Sequence, residues 1–208
     1  MHIKSIIKTA ILFIAIVNLS ACLTTSKVSD VWNDETYERG QIKKVLVIGL
    51  LPETYQRRGL EYSIKKKLQS EHVQAVASIE IFPDKEKLTR DTLEVYLKNS
   101  DFDAVLLTGF RAITKEMNPN IYENAKPSNV RIYIGFYGHY HSAYDYSYSA
   151  FTVKNENVLI EASLFDIKSG KMVWKSISQT SNPENISEIL QPVSNSVVNN
   201  LVDLDYFY

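Results

Sequence analysis

The chain has 208 residues, 45% of them hydrophobic, and a formal net charge of -1 at pH 7. That is enough apolar material for one domain with a real core, and the near-neutral balance excludes a broad electrostatic field for nucleic acid or anionic lipid. A single cysteine, Cys22, excludes an internal disulfide, so the fold must stand on its apolar core.

Met1 to Lys8 is short and basic, with Lys4 and Lys8 and no acid. The apolar run Ala10 to Val17 follows. It is too short to span a bilayer as a helix, which takes about 20 apolar residues. A basic head, a short apolar middle and small residues at a cleavage point describe an export signal. The signal ends in Leu19-Ser20-Ala21-Cys22, an aliphatic residue, two small ones and a cysteine. This resembles the lipobox of bacterial lipoproteins. The resemblance implies a cut between Ala21 and Cys22, a thioether from the Cys22 sulfur to diacylglycerol, and a palmitate-type acyl chain on the new amino terminus. Multiple chains matter physically, because each buried methylene contributes about 0.8 kcal/mol and one myristoyl chain alone binds only marginally. The plainer reading is a free buried cysteine behind a cleavable secretory signal. Within the lipoprotein family, Leu23 in place of an aspartate implies transfer to the outer membrane, on its periplasmic side. The expected organisation is a signal peptide at 1–21, a lipidated tether at 22–30 and a single α/β domain at 31–208.

Beyond the tether, Val45 to Leu51 is a continuous aliphatic run that suits a central strand buried on both faces. Pro52 ends it. Gln56 to Ser70 carries Leu60, Ile64 and Leu68 at spacings of four, one apolar helical stripe. His72 to Ile81 is rich in valine and isoleucine and reads as a strand. Thr89 is the expected N-cap of a helix whose stripe is Leu93, Tyr96 and Leu97. Asp103 to Thr114 reads as the next strand. Strand, helix, strand, helix, strand favours right-handed crossovers and a parallel core. Arg131 to Val153 is aromatic and strand-like, and reads as a hairpin within 129–153. Val158 to Ile167 and Lys171 to Thr180 are strands joined through Gly170, placed for a turn that needs a positive φ. Asn185 to Leu204 has helical apolar spacing, with Pro192 inside it. Proline costs about 3 kcal/mol in a helix interior, so a kink or a late start near Pro192 is expected. The fold class is α/β: a mixed sheet with a parallel β-α-β-α-β core, an antiparallel hairpin extension and a C-terminal helix.

Two stretches, Val31 to Asp84 and "VLIEASLFDIKSGKMVWKSISQT" at Val158 to Thr180, resemble the opening and the closing hairpin of a family of bacterial envelope lipoproteins. The topology is similar to the amino-terminal domain of TolB, to the curli secretion channel subunit and to the penicillin-binding-protein activators. The resemblance brings no catalytic residues, and fold alone does not transfer function.

The most unusual feature is "RIYIGFYGHYHSAYDYSYSAF", which holds six of the 13 tyrosines: Tyr133, Tyr137, Tyr140, Tyr144, Tyr146 and Tyr148. On a strand, Tyr144, Tyr146 and Tyr148 point to one face. Tyrosine offers a large, stiff contact area with a polar tip, as binding surfaces use. The alternative is a long hairpin whose tyrosines pack on one another and on the sheet. His139 and His141 sit two apart and on a strand would face the same way, a start for zinc or copper, but a third ligand at tight spacing is missing. Arg57 and Arg58 at a helix start oppose the dipole. They imply an external anion, or neutralisation by Glu61 one turn on. The run Lys65-Lys66-Lys67 reads as a solvated helix face. Gly49 and "SGK" at Ser169 to Lys171 lack the phosphate-loop pattern, and no serine elbow or His-Glu-x-x-His occurs. Asp101 and Asp103 flank a strand start, where acids commonly cap.

The expected role is therefore non-enzymatic: a lipid-anchored, periplasm-facing binding or envelope-assembly module. It uses a sheet edge or the tyrosine hairpin to meet an envelope protein, with no cofactor and no nucleic acid. A homo-oligomeric structural or secretion-accessory lipoprotein is the alternative, and an envelope hydrolase a third.

Overall fold

The computed structural model describes residues 26–51, 53–84, 88–114, 136, 140, 157–181, 183 and 185–208. In chain order these hold β1 (Ser26–Asn33), β2 (Lys44–Leu50), α1 (Thr54–Ser70), β3 (Gln74–Ala77), a 3-10 turn (Ser78–Glu80), α2 (Arg90–Lys98), β4 (Ala104–Thr114), β5 (Asn157–Asp166), β6 (Met172–Thr180) and α3 (Ser187–Asp203). The strands form one sheet in the order β1-β6-β5-β4-β2-β3. β2 pairs in parallel with β3 and β4. The remaining pairs are antiparallel. This is the expected mixed sheet with a parallel core, an antiparallel extension and a C-terminal helix.

The two faces of the sheet follow from strand alternation. Val45 and Val47 turn to one face, where α1 (Leu60, Ile64, Leu68) and α3 (Ile189, Val193, Val197, Leu201) pack on Leu106, Ile160, Leu164 and Trp174. Leu46, Ile48 and Leu50 turn to the other, against Leu93 and Leu97 of α2. The two crossovers out of β2 and β3 thus cover opposite faces. α2 starts where its sequence says: the Thr89 hydroxyl accepts from Thr92 N–H and the Thr92 hydroxyl accepts from Thr89 N–H, a full capping box. Gly170 takes φ +68° at the β5–β6 turn.

Four expectations are corrected. The segment read as a tether through Asp30 is already sheet from Ser26, where β1 pairs with β6. Its side chains alternate between half-buried and exposed without an apolar period, because backbone pairing rather than burial makes the strand. The strand expected over His72 to Ile81 is only Gln74–Ala77. His72 takes a positive φ of 63° at the end of α1, and Ile79 N–H leaves any ladder to bond Glu61 Oε2 at 2.7 Å. The late helix start at Pro192 is not found; α3 begins at Ser187 and runs through the proline. Finally, the tyrosine-rich stretch lies outside the described residues except for Phe136 and Tyr140, which are helical and buried. Both rings belong to the α2-side core, with Phe136 edge-on to Phe165. Tyr140, one of the candidate binding tyrosines, is therefore a core residue, its hydroxyl donating to Leu88 C=O.

One buried carboxylate ties the first crossover together. Glu61 is 0% exposed. Its Oε1 accepts from Gly49 N–H at 2.9 Å, Arg57 Nε at 2.9 Å and the Ser78 hydroxyl at 2.7 Å. Arg57, also buried, donates from Nη2 to Ser78 Oγ at 2.9 Å. The second sequence reading of Arg57 thus holds: Glu61 neutralises it, inside the protein.

The register also gives the sheet two distinct ends. Ser26 faces Thr180, Thr180 faces Val158, and Val158 faces Ile113. The start of β1, four residues after Cys22, therefore lies at the carboxyl end of β4. The opposite end carries the β5–β6 turn and the entries to β2 and β4, roughly 26 Å away along a nine-residue strand.

Replacing Glu61 by glutamine should strand Arg57 in the interior and put an amide where only acceptors fit. Glu61→Gln is expected to lower unfolding stability by about 3–5 kcal/mol, read from the urea midpoint. A midpoint equal to that of the parent would show that the network holds nothing.

Candidate functional site

At the sheet end remote from Ser26 lies an open cleft of about 600 Å³, lined by the segment after β1, the entry to β4 and the β5–β6 turn. Pockets of this size are typical of ligand sites. Asp34, Tyr37, Glu38, Asp103, Asp166 and Lys171 are among its lining residues. The acids are there because turns need them. Asp34 Oδ1 accepts from Thr36 N–H at 2.9 Å and from its hydroxyl at 2.7 Å. Asp103 Oδ2 accepts from Lys43 N–H and Lys44 N–H, both at 2.8 Å. Asp166 Oδ1 accepts from Ser169 N–H at 2.7 Å and from its hydroxyl at 2.6 Å. Those of Asp34 and Asp166 are Asx-type bonds that shape their own loops, whereas Asp103 reaches across to hold the entry to β2. Asp101 stands beside, with Lys44 holding its carboxyl below the usual range by hydrogen bond and charge.

Tyr37 forms one wall. Its ring stacks on Tyr206 at 5.9 Å, and Arg39 lies over the Tyr206 ring at 5.4 Å. Burial, together with the charges of Asp166 and Asp103 and a hydrogen bond to Asp166, pushes the Tyr37 phenol up to about 12. Burial likewise pushes Tyr206 up to about 12, and Asp34 adds to the shift while Arg39 opposes it. The Tyr206 hydroxyl donates to Val173 C=O at 2.6 Å. Both phenols thus stay protonated at neutral pH. The cleft offers carboxylate acceptors, a phenol donor and lysine cations, which is a recognition chemistry.

A second charged group sits on the α2 side of the sheet. Lys175 Nζ lies 2.8 Å and Arg111 Nε 3.6 Å from Glu161 Oε2, and Lys175 is 3% exposed. Sequence reading missed this group. The available signal was a charge breaking an otherwise apolar strand, as in "VLIEASLF" and "MVWKSIS". It also missed the cleft, which three separate loop segments assemble and no local pattern announces.

Of the residues singled out by sequence, Cys22, Tyr133, Tyr137, His139, His141, Tyr144, Tyr146 and Tyr148 lie outside the described residues. Among the described residues, no three His, Cys, Asp or Glu side chains are placed to hold a metal ion. No described helix is long and apolar enough to cross a membrane.

No protein-family model matches the sequence, and comparison with curated proteins finds no match. Among solved structures, the chain is similar to the PelC dodecamer from Paraburkholderia phytofirmans, at 10% identity and TM-score 0.43 over 83% of this chain and 96% of that one. It is similar to lipoprotein GNA1162 from Neisseria meningitidis, at 17% identity and TM-score 0.37 over 77% of this chain and 98% of that one. It is also similar to a PDZ domain protein from Parabacteroides distasonis, at 11% identity and TM-score 0.41, covering 88% of this chain but 39% of that one. The fold itself stands on the strand order and register given above.

Raised phenol pKa values are stability statements. Below about pH 10 both tyrosines are protonated folded and unfolded, and their contribution is fully present. Between about 10 and 12 the unfolded chain sheds protons that the folded chain keeps, so stability falls as pH rises. Chemical denaturation across that range should show a steeper alkaline loss for the parent than for a Tyr37→Phe, Tyr206→Phe double variant. Equal slopes would remove the assignment.

Proposed function

We propose that the chain is a lipid-anchored outer-membrane protein facing the periplasm, acting without catalysis as a protein-binding or envelope-assembly accessory. The observation that carries this reading is polarity. Cys22, at the end of the expected export signal, precedes β1 by only four residues, while the cleft occupies the other end of the sheet. A tether of that length reaches at most about 14 Å, so it cannot fold back over the cleft. Cys22 attaches the protein, and the cleft stays open to a partner.

A second reading has its own support. β1 ends the strand order and pairs only with β6 among the described residues, and every residue of it is at least partly exposed, a template for pairing with another strand. On this reading the chain is an oligomeric structural or secretion-accessory lipoprotein.

Attachment is tested by mass and fractionation. The mature product should begin at an acylated Cys22 and sediment with outer membranes, and Cys22→Ser should lose both the acyl mass and the outer-membrane pool. An outer-membrane pool unchanged in Cys22→Ser overturns the anchor.

Recognition is tested by photocrosslinking in intact cells from position 168, on the cleft rim, and from position 146, in the tyrosine segment. An envelope protein captured from 168 and lost in a Lys168→Glu, Lys171→Glu variant supports the cleft. Capture from 146 alone moves recognition to the tyrosines. A strict monomer after detergent extraction removes the oligomeric reading.

A further inference from the structure

The outer face of α1 carries an unused pattern. Tyr55, Arg58, Tyr62 and Lys66 follow at spacings of three and four, which places them in one stripe. Tyr55 is 68% and Tyr62 40% exposed, two of the few large apolar side chains in the described residues that face solvent. The neighbouring lysines are engaged: Lys65 pairs with Glu80 at 2.7 Å and Lys67 with Glu71. Arg58 and Lys66 have no ion-pair partner among the described residues. The single acid of the helix, Glu61, is buried, so nothing within α1 offsets these cations outside. Glu53 stands ahead of the stripe, at the N-cap.

The placement of α1 adds a second constraint. It lies beside α3, joined by the Ser63 hydroxyl donating to Gln191 Oε1 at 3.2 Å. Of the exposed residues of α3, Ser187, Gln191 and Asn199 are uncharged, and the one acid, Asp203, is the last residue of the helix. The start of β1 belongs to the same face of the sheet. Ser26 bonds the Thr180 hydroxyl, and Ser178, two residues before Thr180, bonds Ser196 of α3 at 3.1 Å. The short tether to Cys22 therefore leaves from the edge of the helix-bearing layer.

The geometry points to the Tyr55–Arg58–Tyr62–Lys66 stripe as a docking face for the anionic phospholipid surface into which the Cys22 anchor inserts. The inference rests on the lipid-anchor reading. Tyrosine suits the headgroup zone, with its ring toward the acyl boundary and its hydroxyl in water. Unpaired cations are drawn to anionic headgroups within a Debye length, and a tether of about 14 Å holds the stripe near that range. Net charge does not oppose this, because the attraction is local. Docked this way, the domain rests on its α1–α3 layer and leaves the cleft at its rim open to the aqueous side.

The test uses the acylated mature chain carrying Tyr62→Cys, the one free thiol once Cys22 is acylated, labelled with a fluorophore. It is reconstituted into phosphatidylcholine vesicles, with or without phosphatidylglycerol, containing a nitroxide-labelled lipid. A second chain is labelled through Ser169→Cys, on the cleft rim. Quenching at position 62 should exceed that at 169 by about threefold or more when phosphatidylglycerol is present. Salt should weaken it, and so should adding Arg58→Ser and Lys66→Ser. Equal quenching at both positions on vesicle-bound protein overturns docking while the anchor stands. Equal quenching together with capture of an acidic protein from position 62 in cells assigns the stripe to that protein instead. A chain that does not float with vesicles overturns the anchor reading and the docking with it.

Discussion

A carboxylate with no exposed surface must be solvated entirely by protein, and Glu61 is in that position. Its donors come from three segments: Gly49 in β2, Arg57 one turn earlier in α1, and Ser78 and Ile79 just past β3. Strand, helix and turn must all be in place before the charge is satisfied. The same requirement ends β3 early, since the backbone has to turn at Ser78 to bring its donors inward. It also shapes the outside. With its one acid drawn into the core, α1 shows solvent only cations, tyrosines and neutral polar groups. A buried ion pair need not add net stability over an apolar replacement, but here it decides where a strand stops and what a surface displays.

The sheet register then sets the start of β1 and the cleft apart in space. Antiparallel pairing of β1 with β6 puts Ser26 at one end. Asp34 and Asp166, which cap their own turns, collect at the other with Asp103, which bonds the entry to β2, although the three are far apart in the chain. The cleft is a by-product of two turn caps and one contact between strand entries. Its carboxylates are already positioned by backbone N–H groups, which makes it preorganised.

Much of this was readable beforehand, for identifiable reasons. β2 has an uninterrupted aliphatic run, α2 has Thr89 as its cap, and the β5–β6 turn has Gly170; each is a local pattern with a local cause. β1 was not readable, because an edge strand held by backbone pairing needs no apolar period. β3 was overextended because its valines and isoleucines continue past the point where Glu61 pulls the chain away. Tyr140 was named among the candidate binding tyrosines because composition does not tell an exposed ring from a packed one; it is buried beside Phe136 in the α2-side core. The cleft and the Glu161–Lys175 pair depend on register between distant strands, which no single stretch of sequence encodes.

If the domain rests on its helix layer as proposed, the open edge of β1 is constrained too. If the strands stood along the bilayer normal, pairing two β1 edges in antiparallel fashion would send their Ser26 ends, and hence their anchors, in opposite directions. Both could not then enter one leaflet. With the sheet lying over the bilayer on its α1–α3 face, the membrane normal runs through the sheet, and a twofold axis along that normal relates two copies in the same leaflet. That axis makes the facing β1 strands antiparallel while keeping both tethers on the membrane side, the isologous arrangement that closed dimers require. The bulge between Val28 and Asp30 and the charges of Lys27 and Asp30 blunt this edge against indiscriminate pairing. Orientation on the lipid and assembly through β1 are therefore linked: an edge-paired dimer is sterically consistent with two inserted anchors only in the lying-down pose, so evidence for one constrains the other.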